Sequence, residues 1–339
     1  MITKRTDLSP YQQFTWIDAR SLDKDDINIL TDEYLISSEL LADIMDADEQ
    51  SRIEREDDYT VIICRLPAEP DEDEDDPLVR TSIPLGIALF PDKVITMCRG
   101  DSVVIDDFAR HRFRQCPVET KEGFVVSILG RSALVYIRLL KYINRQKDLV
   151  EEQLHKSIMN YELIQLLQIQ KSLVYLTTGV TDNQLLFEKL QKSPLFKLNS
   201  EEEEEFLEDC VIDNRQAITM ANIYTDILTG TMDGFASVIG NNMNVIMKRL
   251  TIINLALMFP TFITGFMGMN VMLPWSDNPY AWIFLLGLCF FVAFAGMWFV
   301  SDRRNKTILR TLGDKKKKRT PSEIKYLRRK KESLEGNDD

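Results

Sequence analysis

The chain has 339 residues and carries 41 Lys and Arg against 53 Asp and Glu, a formal net charge of −12. Such a field gathers cations and repels nucleic acid, which excludes a nucleic-acid partner. The five cysteines (Cys64, Cys98, Cys116, Cys210, Cys289) are odd in number and never spaced as CxxC, which excludes a disulfide or zinc framework and fits a reducing compartment.

In chain order, residues 1–123 read as a mixed α/β domain. Phe14 to Ala19, Tyr59 to Leu66, Ile83 to Phe90 and Lys93 to Cys98 are rich in β-branched and aromatic residues and predict strands. Pro91-Asp92 turns the last pair. Leu, Ile and Met at three-to-four spacing predict helices over Asp32–Asp46 and Val103–Phe113. The acidic run Asp71 to Asp76 falls between strands and reads as a solvated loop, because consecutive like charges repel and seldom converge on one ion.

Residues 124–198 carry no strand signal and read as a helical segment. Gly130 to Leu176 is one amphipathic pattern, with a break expected at Thr177-Thr178-Gly179 and a shorter helix over Asp182–Gln191 stopped by Ser193-Pro194. Residues 199–250 read as a stalk helix. Asn199-Ser200 supply a cap, Glu203 stands three residues after Ser200, and Glu201 to Glu205 place negative charge at a helix N-terminus. No Pro occurs between Leu195 and Met258, so this helix is expected to continue for ~70 residues, roughly 100 Å, a length that needs symmetry-related partners.

Residues 251–273 and 280–300 contain no charged side chain and are each long enough to cross a bilayer as a helix. The linker 274–279 is too short for anything but a reversal, which predicts an antiparallel hairpin with both chain ends on one side. The tail 301–339 carries 14 Lys and Arg, including Lys315 to Arg319 and Arg328 to Lys331, and the short linker carries none. The positive side faces the cytoplasm, so the termini are expected there and the linker outside. The opening Met-Ile-Thr-Lys has no apolar stretch, so no cleavable leader is expected and the hairpin itself is the address of a multi-pass protein of the inner or plasma membrane, in contact with lipid.

One face of the first span collects Asn244, Met247, Thr251, Asn254, Met258, Thr261, Gly265 and Gly268 at intervals of alternately three and four residues. Polar groups facing hydrocarbon are costly unless satisfied, so this face points at protein or at water. Periodicity alone fits a helix interface as well as a pore wall. Among other chemistries, no Walker A or GxGxxG loop is present and His111 and His155 have no nucleophile constellation, so neither an enzyme nor an organic cofactor is expected.

Phe266-Met267-Gly268-Met269-Asn270 ends the first of two C-terminal spans, preceded by Asn244-x-x-Met247-Lys248-x-Leu250-Thr251 and by Pro260, Phe262 and Gly265. This arrangement resembles the CorA family of magnesium transporters. The likeness runs upstream to Asp233 and Asp209 and, more weakly, to Gln50-x-x-Ile53-Glu54 and Trp16-Ile17-Asp18. It implies an α+β cytoplasmic domain, a mixed sheet with flanking helices, on a long stalk helix and two transmembrane helices, assembled as a homopentamer around a central pore.

On the same resemblance, Gly268, Met269 and Asn270 form the selectivity filter, with Asn270 an external ring of carbonyl oxygens. Mg²⁺ gives up its water reluctantly, and a neutral oxygen ring can hold the hydrated ion through its waters. Thr261 and Gly265 become polar steps, Met258, Leu250 and Met247 a hydrophobic constriction, and Asn244 a second oxygen ring. Thr251 and Asn254 also line the path. Asp209 joins a site between subunits that senses cytoplasmic Mg²⁺, so Mg²⁺ is both the transported and the regulatory ion; the second carboxylate of that site is not assigned. The loop after Asn270, Leu273-Pro274-Trp275-Ser276, lacks the family's usual acid. Rival readings are a Zn²⁺, Co²⁺ or Ni²⁺ transporter of the same family and a non-conducting, membrane-anchored scaffold or sensor.

Overall fold

A computed structural model of the chain describes residues 2–6, 8–9, 12–68, 81–112, 116–156 and 160–269, and further along 280, 283–284, 286–291 and 294. The acidic run, the linker between the two spans, Asn270 and the basic tail lie outside the described residues. Two compact units are present, residues 1–234 and 235–339.

The first unit is built on a six-stranded mixed sheet of order β1-β2-β6-β5-β4-β3. Its strands are β1 (Ile2–Arg5), β2 (Thr15–Arg20), β3 (Arg52–Arg55), β4 (Thr60–Ala68), β5 (Thr81–Leu89) and β6 (Lys93–Cys98). Only β2 and β6 pair in parallel; the other neighbours are antiparallel. The four strands expected from the sequence are β2, β4, β5 and β6. Successive strand residues face opposite sides, and both sides are covered. Val61, Ile63, Ile95 and Met97 pack with Leu30, Ile36, Leu40 and Ile44 on one side. On the other side Ile62, Cys64, Leu66 and Ile87 pack with Phe108, Phe124, Ile128 and Phe187. Trp16 is wholly buried there, its ring 5.3 Å from that of Phe124 and its indole N–H donating to Thr96 Oγ1 at 2.9 Å.

Helices α1 (Lys24–Asp32) and α2 (Ser38–Met45) replace the single helix expected over Asp32–Asp46. The apolar spacing runs through both, but the cap overrides it. Ser37 Oγ accepts the Leu40 N–H at 3.0 Å, the Ser37 N–H donates to the Tyr59 hydroxyl at 3.1 Å, and Leu35 turns left-handed at φ 57°. Helix α3 (Val103–Ala109) stops short of Phe113 because His111 is left-handed at φ 55°.

Helix α4 spans Lys121–Lys156 and α5 spans Asn160–Lys192. The break expected at Thr177-Thr178-Gly179 is absent. The Thr177, Thr178 and Thr181 hydroxyls donate to the carbonyls four residues back, at 2.6, 3.0 and 2.7 Å, so these side chains satisfy themselves on the helix without ending it. Gly179 is required by close approach: a Cβ there would meet the Tyr136 hydroxyl and Ser82. Tyr136 is wholly buried and has no room to withdraw. Gly179→Ala is therefore expected to lower stability by about 1–3 kcal/mol, an overpacking cost measurable as a fall in the thermal midpoint.

Helix α6 covers Glu201–Met267, 67 residues. Its start is the expected cap. Ser200 Oγ accepts the Glu203 N–H at 3.2 Å, and Glu203 Oε2 accepts the Asn199 N–H at 2.8 Å. Glu203 is buried against Thr120 while the other four glutamates of the run are exposed. Leu207, Cys210 and Val211 anchor this part of α6 in the core of the first unit.

Candidate ion pathway

Two described helices, α4 and α6, are apolar and long enough to cross a membrane. Burial separates them. The apolar stretch of α4 is mostly inside the first unit and is a core helix, whereas none of the apolar stretch of α6 is buried. An unburied apolar helix of this length is stable only against lipid or further protein. In the second unit the described residues after Tyr280, at 283–284, 286–291 and 294, are helical.

The stripe lies on this unburied part. Asn244, Met247, Leu250, Thr251, Asn254, Met258, Thr261, Gly265, Gly268 and Met269 are all exposed on the single chain. Met247 is 53%, Leu250 51%, Met258 66% and Met269 54% exposed, values that leave the whole face uncovered. The threonines have a defined polarity. Thr251 Oγ1 donates to the Met247 carbonyl at 2.8 Å and Thr261 Oγ1 to the Leu257 carbonyl at 2.7 Å. With the hydroxyl hydrogen committed to the backbone, each oxygen keeps its lone pairs for accepting. A face of acceptors suits the water shell of a cation, whose hydrogens point outward.

Pro260 sits inside α6 without ending it. Lacking an N–H, it removes the bond that the Ala256 carbonyl would accept. The Thr264 hydroxyl donates to the Pro260 carbonyl at 3.0 Å one turn later. The helix closes at Met267, where the Gly268 N–H bonds the Thr264 carbonyl at 2.9 Å and the Met269 N–H the Phe266 carbonyl at 3.4 Å. Asn270 follows directly.

The acidic candidates stand apart from the stripe in sequence. Asp209 and Asp233 are exposed on α6. Asp213, one turn beyond Asp209, was not singled out by the sequence reading, although i,i+4 carboxylates share a helix face. Burial, and then the neighbouring Asp209, raise its carboxyl above the usual carboxylate range. Among the described residues no group of three or more His, Cys, Asp or Glu is placed to hold a metal ion.

A second polar centre, Arg65, escaped the sequence reading because it lies in the apolar strand β4. Its buried guanidinium donates to the carbonyls of Glu49 at 2.7 Å, Ala47 at 2.8 Å and Ser82 at 3.1 Å. Asn183 of α5 brackets the same residue, accepting the Arg65 N–H at 2.8 Å and donating to its carbonyl at 2.7 Å. The only sequence signal is a lone Arg in Val61 to Leu66, a run otherwise apolar.

An α+β unit continuing through one long helix into an unburied apolar segment defines a membrane protein with a sizeable water-soluble part. The family model described as CorA-like Mg²⁺ transporter protein matches residues 11–306, and the chain belongs to that family of metal-ion transporters. It is 26% identical over 281 residues to the cobalt/magnesium transport protein CorA of Methanocaldococcus jannaschii, covering 80% of this chain and 85% of that protein. To the cobalt/magnesium transport protein CorA of Thermotoga maritima it is 25% identical over 267 residues, covering 76% of this chain and 73% of that one. The complete structure of the Methanocaldococcus jannaschii CorA magnesium transporter superposes with a TM-score of 0.71 at 25% identity, covering 85% of this chain and 90% of that chain.

Proposed function

We propose that this chain forms a homopentameric channel that admits Mg²⁺ to the cytoplasm down the membrane potential. The observation that carries the reading is the unburied apolar length of α6 with its stripe of small, polar and thioether side chains running into Gly268 and Met269. Five such faces, turned to one axis, enclose a path that no single helix covers. The chain would span an inner or plasma membrane twice, with both termini in the cytoplasm and the basic tail on the positive side.

Along the path, Asn270 forms an outer ring of neutral oxygens that holds the hydrated ion through its waters, tightly enough to select and weakly enough to release. Met269 packs, because a thioether is a poor ligand for so hard a cation. Thr261, Asn254 and Thr251 offer acceptor oxygens, and Gly265 leaves width. Met258, Leu250 and Met247 close the path by excluding water, and Asn244 provides the inner oxygen ring. Two charges moving inward gain about 4.6 kcal/mol per 100 mV, so no nucleotide is needed.

Asp209 senses cytoplasmic Mg²⁺ across a subunit boundary. Mg²⁺ bound there stabilises the closed assembly by mass action and releases it as the internal concentration falls. The i,i+4 placement of Asp209 and Asp213 supports this, since a cation between them would relieve the like charge that, after burial, holds the Asp213 carboxyl above its ordinary range. In liposomes preloaded with Mg²⁺ at a level that silences the wild type, Asp209→Ala is expected to keep conducting. Full retention of sensitivity to internal Mg²⁺ by the variant would remove Asp209 from the sensor.

A further inference from the structure

Glycine in a helix normally has a reason, and in α4 and α5 the reason is contact. A Cβ at Gly130 would collide with Cys210 and one at Gly179 with Tyr136. Gly230, Gly234 and Gly240 of α6 differ in kind. A Cβ at any of them meets nothing within 4 Å, and none has a positive φ. Neither packing within the chain nor backbone geometry demands glycine at these places, yet each weakens the local helix about fivefold relative to alanine.

Their neighbours compound the weakness. Thr229, Thr231, Val238, Ile239, Asn241 and Asn242 are all poor helix formers, through restricted side-chain rotation or competition for backbone hydrogen bonds. Tertiary packing, which holds most protein helices, is also thin here. Upstream, Leu207, Cys210, Val211, Ala217, Ala221 and Leu228 are buried; from Thr229 to Leu250 only Phe235 is. The two compact units divide within this stretch, at Gly234.

We infer that Gly230 to Gly240 is a built-in bending point of α6, where the helix loosens so that its pore-lining part can change course when the channel opens. The inference rests on the transport function proposed above. Local opening free energies in a helix vary with packing and propensity, and the segments that move in gating are drawn from the weak end.

The test is amide hydrogen exchange on the full-length protein, combined with Mg²⁺ influx in proteoliposomes, for the wild type, Gly234→Ala and the triple variant Gly230→Ala/Gly234→Ala/Gly240→Ala. Wild-type amides at 229–242 are expected to exchange at least about tenfold faster than those at 215–227. Exchange at 229–242 should slow about fivefold in the single variant and about a hundredfold in the triple, because alanine fits each site. The oligomer should keep its size, and influx at low internal Mg²⁺ should fall at least about tenfold in the triple variant. Wild-type exchange no faster than upstream, unchanged influx with slowed exchange, or loss of the oligomer would each overturn the bending point; the last would make these glycines a packing contact between copies. If the wild type carries no Mg²⁺, the transport reading fails, and the exchange data still decide whether the helix opens here.

Discussion

Asn270→Ala is expected to lower Mg²⁺ influx at least about a hundredfold below the wild type, while the assembly keeps its size and thermal midpoint. The magnitude follows from geometry multiplied by symmetry. In the proposed pentamer, an oxygen ring contributed by five chains would lose five acceptors with one substitution, and each well-placed electrostatic contact removed from an ion or transition-state site typically costs a factor of tens or more. Asn270 lies three residues beyond Met267, the last residue of α6. Isothermal calorimetry of Mg²⁺ on the solubilised channel separates loss of binding at the ring from loss of conduction. Asn270→Asp provides the contrast: a carboxylate ring holds the ion and slows its release.

Arg65→Met has the largest expected effect on stability. It leaves the buried Ser82 carbonyl without its guanidinium donor, removes the donor to the part-buried Ala47 and Glu49 carbonyls, and unpairs Asp182, whose carboxylate lies 4.0 Å from the guanidinium. Breaking a buried charged network on one side costs about 3–5 kcal/mol, a fall of roughly 10 °C for a domain of this size. Tryptophan fluorescence reports the unfolding, since Trp16 is wholly buried in the same unit. The pH dependence has a definite sign. Burial raises the Asp182 carboxyl above its unfolded value and Arg65 opposes that rise. A raised carboxyl destabilises the fold as pH climbs from the unfolded value through the folded one. Without Arg65 the rise is larger, so the variant's deficit at pH 7 exceeds its deficit near pH 4.

What was legible in the sequence is what local chemistry decides. The strands β2, β4, β5 and β6 stood out because they are apolar and β-branched on both faces, and both faces are covered. The start of α6 was legible because the cap, Ser200 accepting from the Glu203 N–H and Glu203 from the Asn199 N–H, lies wholly within residues 199–203. Edge strands β1 and β3 were missed. Four residues long and carrying Lys4, Arg5, Arg52, Glu54 and Arg55, they are strands because a neighbouring strand pairs with them. Gly179 was misread as a break because the partners that need its small size, Tyr136 and Ser82, lie 43 and 97 residues away in the chain.

The stripe was legible for a different reason. A helix with heptad-spaced Asn, Thr, Gly and Met has one face unlike the others whatever surrounds it, and on the single chain that face is bare. The proposed sensor stands out less. By spacing Asp209 and Asp213 are ordinary helix acids, and only the half-burial and raised carboxyl of Asp213 distinguish the pair.

Conduction of Mg²⁺ is decided by its uptake into proteoliposomes of the wild-type protein, followed with an internal Mg²⁺-sensitive dye under an imposed potential. Influx is expected to require an inside-negative potential, to grow as the potential is made more negative, and to stop when the internal Mg²⁺ rises. Protein-containing liposomes that take up Mg²⁺ no faster than empty ones under the same potential would contradict it.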